Sequence, residues 1–169
     1  MVMIIPFVLC MLIGRAEGPW MWASLILFAG ASFTDMLDGK IARARNLITD
    51  FGKFMDPLAD KLLVCSALIC LIDLRRIPAW AVLVIIAREF IISGFRLIAS
   101  DNGIVIAASW WGKVKTVTQM IMIILLIIDF TSGPLALLAK ILIYVSTALT
   151  VISLVDYIAK NRSVLSMQE

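Results

Sequence analysis

The sequence predicts an all-α membrane protein with six transmembrane helices. Of its 169 residues, 62% are apolar, against about 45–50% in an average soluble domain. The mean hydropathy of +1.03 is also far above a soluble value. Because a helix needs about 20 residues to cross a bilayer, the chain has room for about six spans and little else. We therefore expect one membrane domain over residues 1–169.

The first three helices are separated by short polar segments. Residues 1–13 are apolar but too short for a span, and they lack the basic start and cleavage site of a signal peptide. We interpret them as the end of a first helix that is truncated at its N-terminus. Pro19 can open the second helix, expected over residues 20–45. The third helix is expected over residues 52–74.

Proline also marks the later helices. Pro78 opens a fourth helix, expected over residues 78–99. The fifth is expected over residues 112–130, where the segment Ser132-Gly133-Pro134 breaks it. The sixth is expected over residues 135–160.

Two acidic residues lie near the ends of the last two helices. Asp129 follows the apolar part of the fifth helix, and we expect it to face water on the outer side. Asp156 lies four residues before Lys160, so the two can form an ion pair along the sixth helix.

The basic residues are divided unevenly between the two ends of the predicted helices. The end reached after the second, fourth and sixth helices holds Lys40, Arg43, Arg45, Lys53, Lys61, Lys113, Lys115, Lys160 and Arg162. The opposite end holds Arg15, Arg75 and Arg76. Because short cytoplasmic loops carry an excess of Lys and Arg, we expect the first end to face the cytoplasm.

The absence of histidine limits the chemistry that the chain can perform. It excludes imidazole metal sites, Ser-His-Asp triads and histidine general bases. Cys10, Cys65 and Cys70 lie in apolar runs without zinc-ligand spacing, so we interpret them as packing residues. Metal binding would therefore use carboxylates, which favours a hard cation such as Mg²⁺ or Mn²⁺.

Four aspartates fall near the cytoplasmic ends of the second and third helices. Asp35 and Asp38 are three residues apart and Asp56 and Asp60 are four apart, so each pair lies on one helix face. A short turn makes the two helices antiparallel neighbours, which lets the two acidic faces meet. Two like charges about 4 Å apart repel by about 4 kcal/mol at an effective dielectric near 20. We therefore predict that these carboxylates hold divalent metal.

The alternative for these aspartates is a solvated loop in which they pair with basic neighbours. The residues that could supply those ion pairs are Lys40, Arg43, Lys53 and Lys61. Gly39 and Gly52 favour the metal site, because the missing side chains let a bulky ligand approach the backbone.

The aspartates and their neighbours resemble the signature motif of the CDP-alcohol phosphotransferase family. The eight fixed positions of that motif are all present at the expected spacing, as Asp35, Asp38, Gly39, Ala42, Arg43, Gly52, Asp56 and Asp60. Residues 52–61, 87–96 and 112–116 look like the bacterial phosphatidylglycerophosphate synthase branch. The resemblance extends from about residue 5 to residue 160.

The resemblance implies a fold of six membrane helices, a homodimer, and transfer of a phosphatidyl group from CDP-diacylglycerol to an alcohol with release of CMP. In the synthase branch the alcohol is sn-glycerol 3-phosphate. It implies a multi-pass protein of the bacterial plasma (inner) membrane, in contact with lipid and without a nucleic-acid partner. Family members begin with a segment similar to Pro-Asn-x-Leu-Thr-x-x-Arg, and this chain begins after it, in agreement with a truncated first helix.

The resemblance also implies residue roles. Asp35, Asp38 and Asp56 would hold two Mg²⁺ or Mn²⁺ ions, and Asp60 would contact metal and act as general base on the acceptor hydroxyl. The residues that would line the CDP pocket are Gly39, Ala42, Arg43 and Gly52.

Four cations are candidates for binding the phosphate of the acceptor. Arg88 and Arg96 are eight residues apart and can face the same way, while Lys113 and Lys115 begin the fifth helix. Cations at membrane depth usually have a bound partner, and guanidinium groups bind phosphate in bidentate fashion. The alternatives are that Arg88 pairs with one of the aspartates and that the lysines reach lipid head groups. Glu89 is equally consistent with a structural and a functional role.

The sequence leaves two other functions open. The same chemistry could use another acceptor, such as inositol phosphate or phosphatidylglycerol. A divalent-cation transporter is the alternative from a different class, because intramembrane aspartates also mark ion paths. The clustering of the aspartates at one boundary favours the enzyme.

Overall fold

The computed structural model describes residues 3–15, 17–44, 50–101, 109–130 and 133–161, and the side chains at 35–44, 50–60 and 100–101 fall outside this description. Over the described ranges the chain forms helices joined by short turns, without strands. Its helices are α1 (Ile4–Ile13), α2 (Gly18–Ala44), α3 (Asp50–Asp73), α4 (Ala79–Asp101), α5 (Trp110–Ile128) and α6 (Pro134–Lys160). The predicted all-α class is confirmed, and the bounds of α2 to α6 lie within two residues of the predicted ones.

Local chemistry explains where α5 begins and ends. Ser109 precedes the helix, and its Oγ accepts a hydrogen bond from the Gly112 N–H at 3.1 Å. This N-cap lets α5 begin two residues earlier than predicted. Asp129 has a φ of 52°, a left-handed conformation that stops the helix. Gly133, with a φ of 93°, then leads into Pro134 at the start of α6.

The chain divides into two compact units, and the first comprises Met1–Arg76 with Leu126–Asp129. Within it, α1, α2 and α3 pack against one another. Phe7 of α1 and Phe28 of α2 are fully buried, with their ring centroids 5.8 Å apart. This aromatic contact holds α1 against α2. Both helices also contact α3, and α2 and α3 each carry two of the predicted metal ligands.

Arg76, just after α3, joins the end of that helix to the end of α5 within the first unit. Its Nη1 donates to the carbonyls of Leu126 at 3.2 Å and Ile127 at 2.9 Å. Its Nη2 pairs with Asp129 at 3.1 Å. The last carbonyls of a helix have no partner within the helix, so this guanidinium acts as a cap on α5.

The second unit comprises Ile77–Leu125 and Phe130–Glu169, and in it α4 packs against α6. Trp80 of α4 contacts Tyr144 of α6 with ring centroids 6.1 Å apart. Phe95 of α4 contacts Tyr157 of α6 at 6.3 Å. Since both helices advance in the same direction between these contacts, α4 and α6 run parallel.

The buried face of α6 is largely small and polar. Its buried residues are Ala139, Ile143, Ser146, Thr147, Thr150, Ser153 and Tyr157. Small side chains let helices approach closely in lipid, where apolar surface alone does not drive helix association. The hydroxyls of Thr147 and Thr150 donate to carbonyls one turn back in α6, at 2.7 Å each.

Each of the six helices exposes large apolar side chains. Examples, in helix order, are Ile13, Ile26, Ile69, Leu83, Trp110 and Tyr144. Leu83, for example, is 69% exposed, and exposing so many large apolar side chains to water is unfavourable. Among the described residues, α5 and α6 are long and apolar enough to cross a membrane. The chain is therefore membrane-associated, while six membrane spans and a single domain over 1–169 stay predictions.

Candidate functional site

The four aspartates predicted to bind metal lie on two helices that contact each other. Asp35 and Asp38 are near the end of α2, and Asp56 and Asp60 are near the start of α3. Five residues separate the two helices, so their facing ends lie within roughly 20 Å of each other. The topology thus brings the acidic segments to one end of this helix pair.

The side chains of these aspartates lie outside the described residues. The same holds for the positions predicted to line the CDP pocket, Gly39, Ala42, Arg43 and Gly52. Among the described side chains, no group of three acidic or cysteine residues could hold a metal. Four carboxylates on one helix pair, in a chain without histidine, are a donor set that fits a hard divalent cation.

Arg88, in the middle of α4, is buried with one of its donors unused. The residue is 7% exposed. Its Nη1 donates to Oε1 of Glu89 at 3.0 Å, and its Nη2 donates to Oγ of Ser153 at 2.6 Å. Its Nε is buried and has no hydrogen-bond partner among the described residues. Because an unpaired buried donor on a charged group is unfavourable, this edge of the guanidinium is suited to an anionic ligand.

Glu89 connects Arg88 to a second buried cation. Its Oε1 also accepts a hydrogen bond from Nζ of Lys115, which is 1% exposed. Side-chain contacts therefore link three helices: Lys115 of α5 binds Glu89 of α4, and the neighbouring Arg88 binds Ser153 of α6. This burial shows that Lys115 does not reach lipid head groups, which was one of the alternatives. One carboxylate serves two cations here, so Glu89 has at least a structural role.

Gly112 lies against the guanidinium of Arg88 at the start of α5. A Cβ at this position would lie 3.2 Å from Nη2 of Arg88, 3.4 Å from Oγ of Ser109 and 3.7 Å from Oγ of Ser153. The side chain of the next residue, Lys113, is exposed. The N–H groups at a helix N-terminus add positive potential, so this corner of the second unit favours anions.

Arg96 is exposed and lies over an aromatic ring. Its guanidinium carbon is 5.9 Å from the ring centroid of Tyr157, within the range of a cation–π interaction. Arg88 contacts Ser153, and Tyr157 is one helical turn further along α6. Both arginines therefore approach the same face of α6, and their binding of the acceptor phosphate stays a prediction.

The sequence interpretation missed Ser153 and Tyr157. They belong to a set of buried α6 positions spaced alternately by four and three residues, namely 139, 143, 146, 150, 153 and 157. Small and polar residues at this spacing in an apolar helix mark a helix–helix face. This spacing is visible in the sequence and is sufficient to identify Ser153 and Tyr157 as residues of a helix–helix contact.

Comparison with known proteins shows one consistent similarity. The family model for CDP-alcohol phosphatidyltransferase matches residues 1–152. The chain is 47% identical over 144 residues to the CDP-diacylglycerol–glycerol-3-phosphate 3-phosphatidyltransferase of Bacillus subtilis (strain 168), covering 82% of this chain and 73% of that protein. It is 35% identical over 165 residues to the protein of the same name from Haemophilus influenzae, covering 93% of this chain and 86% of that protein.

A third relative is longer than this chain. The probable phosphatidylglycerophosphate synthase of Mycobacterium tuberculosis (strain H37Rv) is 43% identical over 139 residues, which are 82% of this chain. The alignment spans 64% of the mycobacterial protein, less than two thirds of its length.

Proposed function

The chain belongs to the CDP-alcohol phosphatidyltransferase family, and from this premise we propose that it transfers a phosphatidyl group from CDP-diacylglycerol to sn-glycerol 3-phosphate. The products are CMP and phosphatidylglycerophosphate. The names of the Bacillus and Haemophilus relatives support this acceptor. The structural observation that carries it is the buried Arg88, whose unpaired Nε suits the phosphate of the acceptor.

Proteins of this family generally depend on divalent cations. We assign Asp35, Asp38 and Asp56 to the binding of two Mg²⁺ or Mn²⁺ ions, with Asp60 as a further contact. Bound cations would neutralise the pyrophosphate of CDP-diacylglycerol and help CMP to leave. The residues assigned to the CDP pocket are Gly39, Ala42, Arg43 and Gly52.

Asp60 is assigned to proton transfer. Its carboxylate takes the proton from the acceptor hydroxyl, and the hydroxyl oxygen bonds to the phosphorus that carries diacylglycerol. The bond between that phosphorus and the CMP oxygen breaks, and its electron pair leaves with CMP. Atoms and charge balance without any further reactant.

The acceptor phosphate is assigned to the cations of the second unit. Arg88 would bind through Nε, and the exposed side chains of Arg96 and Lys113 can rearrange to reach a phosphate. Lys115 is buried against Glu89, so it would contribute its charge and hold Glu89 in place. This arrangement distinguishes a phosphorylated acceptor from a neutral polyol, because only the former supplies an anion.

The remaining assignments concern location and assembly. The uneven distribution of Lys and Arg supports an active site that faces the cytoplasm. We assign the protein to the bacterial inner membrane as a homodimer, with membrane lipid around it.

The test is CMP release by the purified protein with CDP-diacylglycerol and Mn²⁺. The acceptors compared are glycerol 3-phosphate, glycerol, inositol phosphate and phosphatidylglycerol. We expect release with glycerol 3-phosphate and little with glycerol. Release with inositol phosphate or phosphatidylglycerol, and none with glycerol 3-phosphate, would rule out the proposed acceptor. Metal flux into sealed vesicles without any CMP would instead favour a transporter.

A further inference from the structure

Tyr157 has a buried hydroxyl with no hydrogen-bond partner among the described residues. The residue is 2% exposed and lies in the last turn of α6. The hydroxyl of a buried tyrosine usually has a partner, because leaving it unpaired is unfavourable. An unpaired phenol in a buried position therefore indicates a ligand that supplies the missing acceptor.

The surroundings of Tyr157 identify the chemistry of that ligand. The guanidinium of Arg96 lies over its ring at 5.9 Å from the centroid, and Phe95 packs edge-on against it. One turn earlier on the same face of α6, Ser153 holds Arg88. Guanidinium groups only donate hydrogen bonds, so neither arginine can accept the hydrogen of the phenol.

The Tyr157 hydroxyl and Nε of Arg88 are both buried, and neither has an acceptor within the described part of the chain. The oxygens of a phosphate dianion carry many lone pairs and no hydrogen. Such a ligand supplies the acceptor that the Tyr157 hydroxyl lacks, and its charge is matched by the guanidinium of Arg96 over the Tyr157 ring. A neutral polyol would bring hydroxyl donors into a site that already has an excess of donors.

We propose that the Tyr157 hydroxyl donates a hydrogen bond to the phosphate of the acceptor alcohol and helps the protein to select phosphorylated acceptors. This inference rests on the proposed function for the identity of the acceptor. It assigns a binding role to a residue outside the family motif, on a helix that the motif does not reach.

The test variant is Tyr157→Phe, which removes only the hydroxyl oxygen. A hydrogen bond to a charged ligand is strong enough that its loss raises KM for glycerol 3-phosphate about tenfold. We expect KM for CDP-diacylglycerol to stay unchanged. We expect the thermal unfolding temperature of the substrate-free variant to stay unchanged or to rise. The control is Tyr144→Phe, since Tyr144 is on the same helix but is 65% exposed and packs on Trp80.

A lower unfolding temperature of substrate-free Tyr157→Phe would show that the hydroxyl has a structural partner and would overturn the inference. An unchanged KM for glycerol 3-phosphate would overturn it as well.

Calorimetric titration with inorganic phosphate separates this inference from the proposed function. It needs no turnover, so it applies even if glycerol 3-phosphate releases no CMP. We expect the wild type to bind phosphate but not glycerol, and Tyr157→Phe to bind phosphate about tenfold more weakly. Equal phosphate binding by the two proteins, or none by the wild type, would reject a phosphate contact at Tyr157.

Discussion

Nη2 of Arg88 lies 2.6 Å from Oγ of Ser153, and this hydrogen bond joins α4 to α6. Arg88 is 7% exposed and Ser153 is fully buried. The bond therefore fixes the guanidinium that we assign to the acceptor phosphate, and it makes the position of that group depend on α6.

Ser153→Ala should weaken both folding and acceptor binding. It leaves a buried charged donor without its partner, which costs about 1.5–3 kcal/mol of stability. We expect a lower thermal unfolding temperature and a higher KM for glycerol 3-phosphate. Ser146→Ala is the matched control, because its buried Oγ has no partner among the described residues. If the two variants behave alike, the Arg88–Ser153 bond does not hold the guanidinium.

Glu89→Gln should destabilise the second unit through two ion pairs at once. Arg88 and Lys115 both lose the carboxylate that they share, and removing one partner of a buried ion pair costs about 3–5 kcal/mol. Adding Lys115→Met should recover part of the loss, because it removes one of the unpaired charges. Denaturant unfolding of the two single variants and the double variant measures this coupling. Strictly additive losses would show that Glu89 and Lys115 act independently.

Gly112→Ala should impair acceptor binding. The new Cβ would lie 3.2 Å from Nη2 of Arg88, so the guanidinium must shift by a few tenths of an ångström. We expect a several-fold higher KM for glycerol 3-phosphate. At Gly94 on α4, no described atom lies within 4 Å of an added Cβ. Gly94→Ala should keep KM unchanged and stabilise the helix by about 0.5–1 kcal/mol. An unchanged KM in Gly112→Ala would contradict the close contact.

Arg76→Ala should reduce stability without changing the kinetic constants. It removes the cap on the carbonyls of Leu126 and Ile127 and the pair with Asp129, which together should contribute about 1–2 kcal/mol. The control is Arg75→Ala, which removes the same charge from an exposed neighbour. Equal unfolding temperatures for the two variants would show that the lost charge, and not the lost cap, causes the decrease in stability.

The sequence predicted features that depend on neighbouring residues. Helix ends followed from proline and glycine, such as Pro134 after Gly133. The predicted ion pair between Asp156 and Lys160 is confirmed, at 2.7 Å, because a spacing of four residues in a helix is sufficient to form it. Asp129 lies at a helix end as expected and is 51% exposed, yet it also pairs with Arg76.

The partners of the buried cations could not be read from local spacing. Lys115, near the start of an apolar helix, was expected to bind phosphate or to reach lipid head groups. The structure buries it against Glu89, which is 26 residues away in sequence. This burial keeps it from lipid head groups, and its part in phosphate binding stays a prediction. Arg88 likewise bonds to Ser153, 65 residues away. Such contacts depend on which helices pack together and on their register, and neither is encoded in the periodicity of a single helix.

The proposed reaction depends most on the four aspartates of α2 and α3, and Asp60 is the one assigned to proton transfer. The most direct measurement is CMP release by Asp60→Asn at Mn²⁺ and CDP-diacylglycerol concentrations at which calorimetry shows both bound. We predict that this variant binds both ligands and releases no CMP with glycerol 3-phosphate, whereas Asp56→Ala loses Mn²⁺ binding itself. Wild-type rates of CMP release from Asp60→Asn would contradict the assignment of Asp60 as the base.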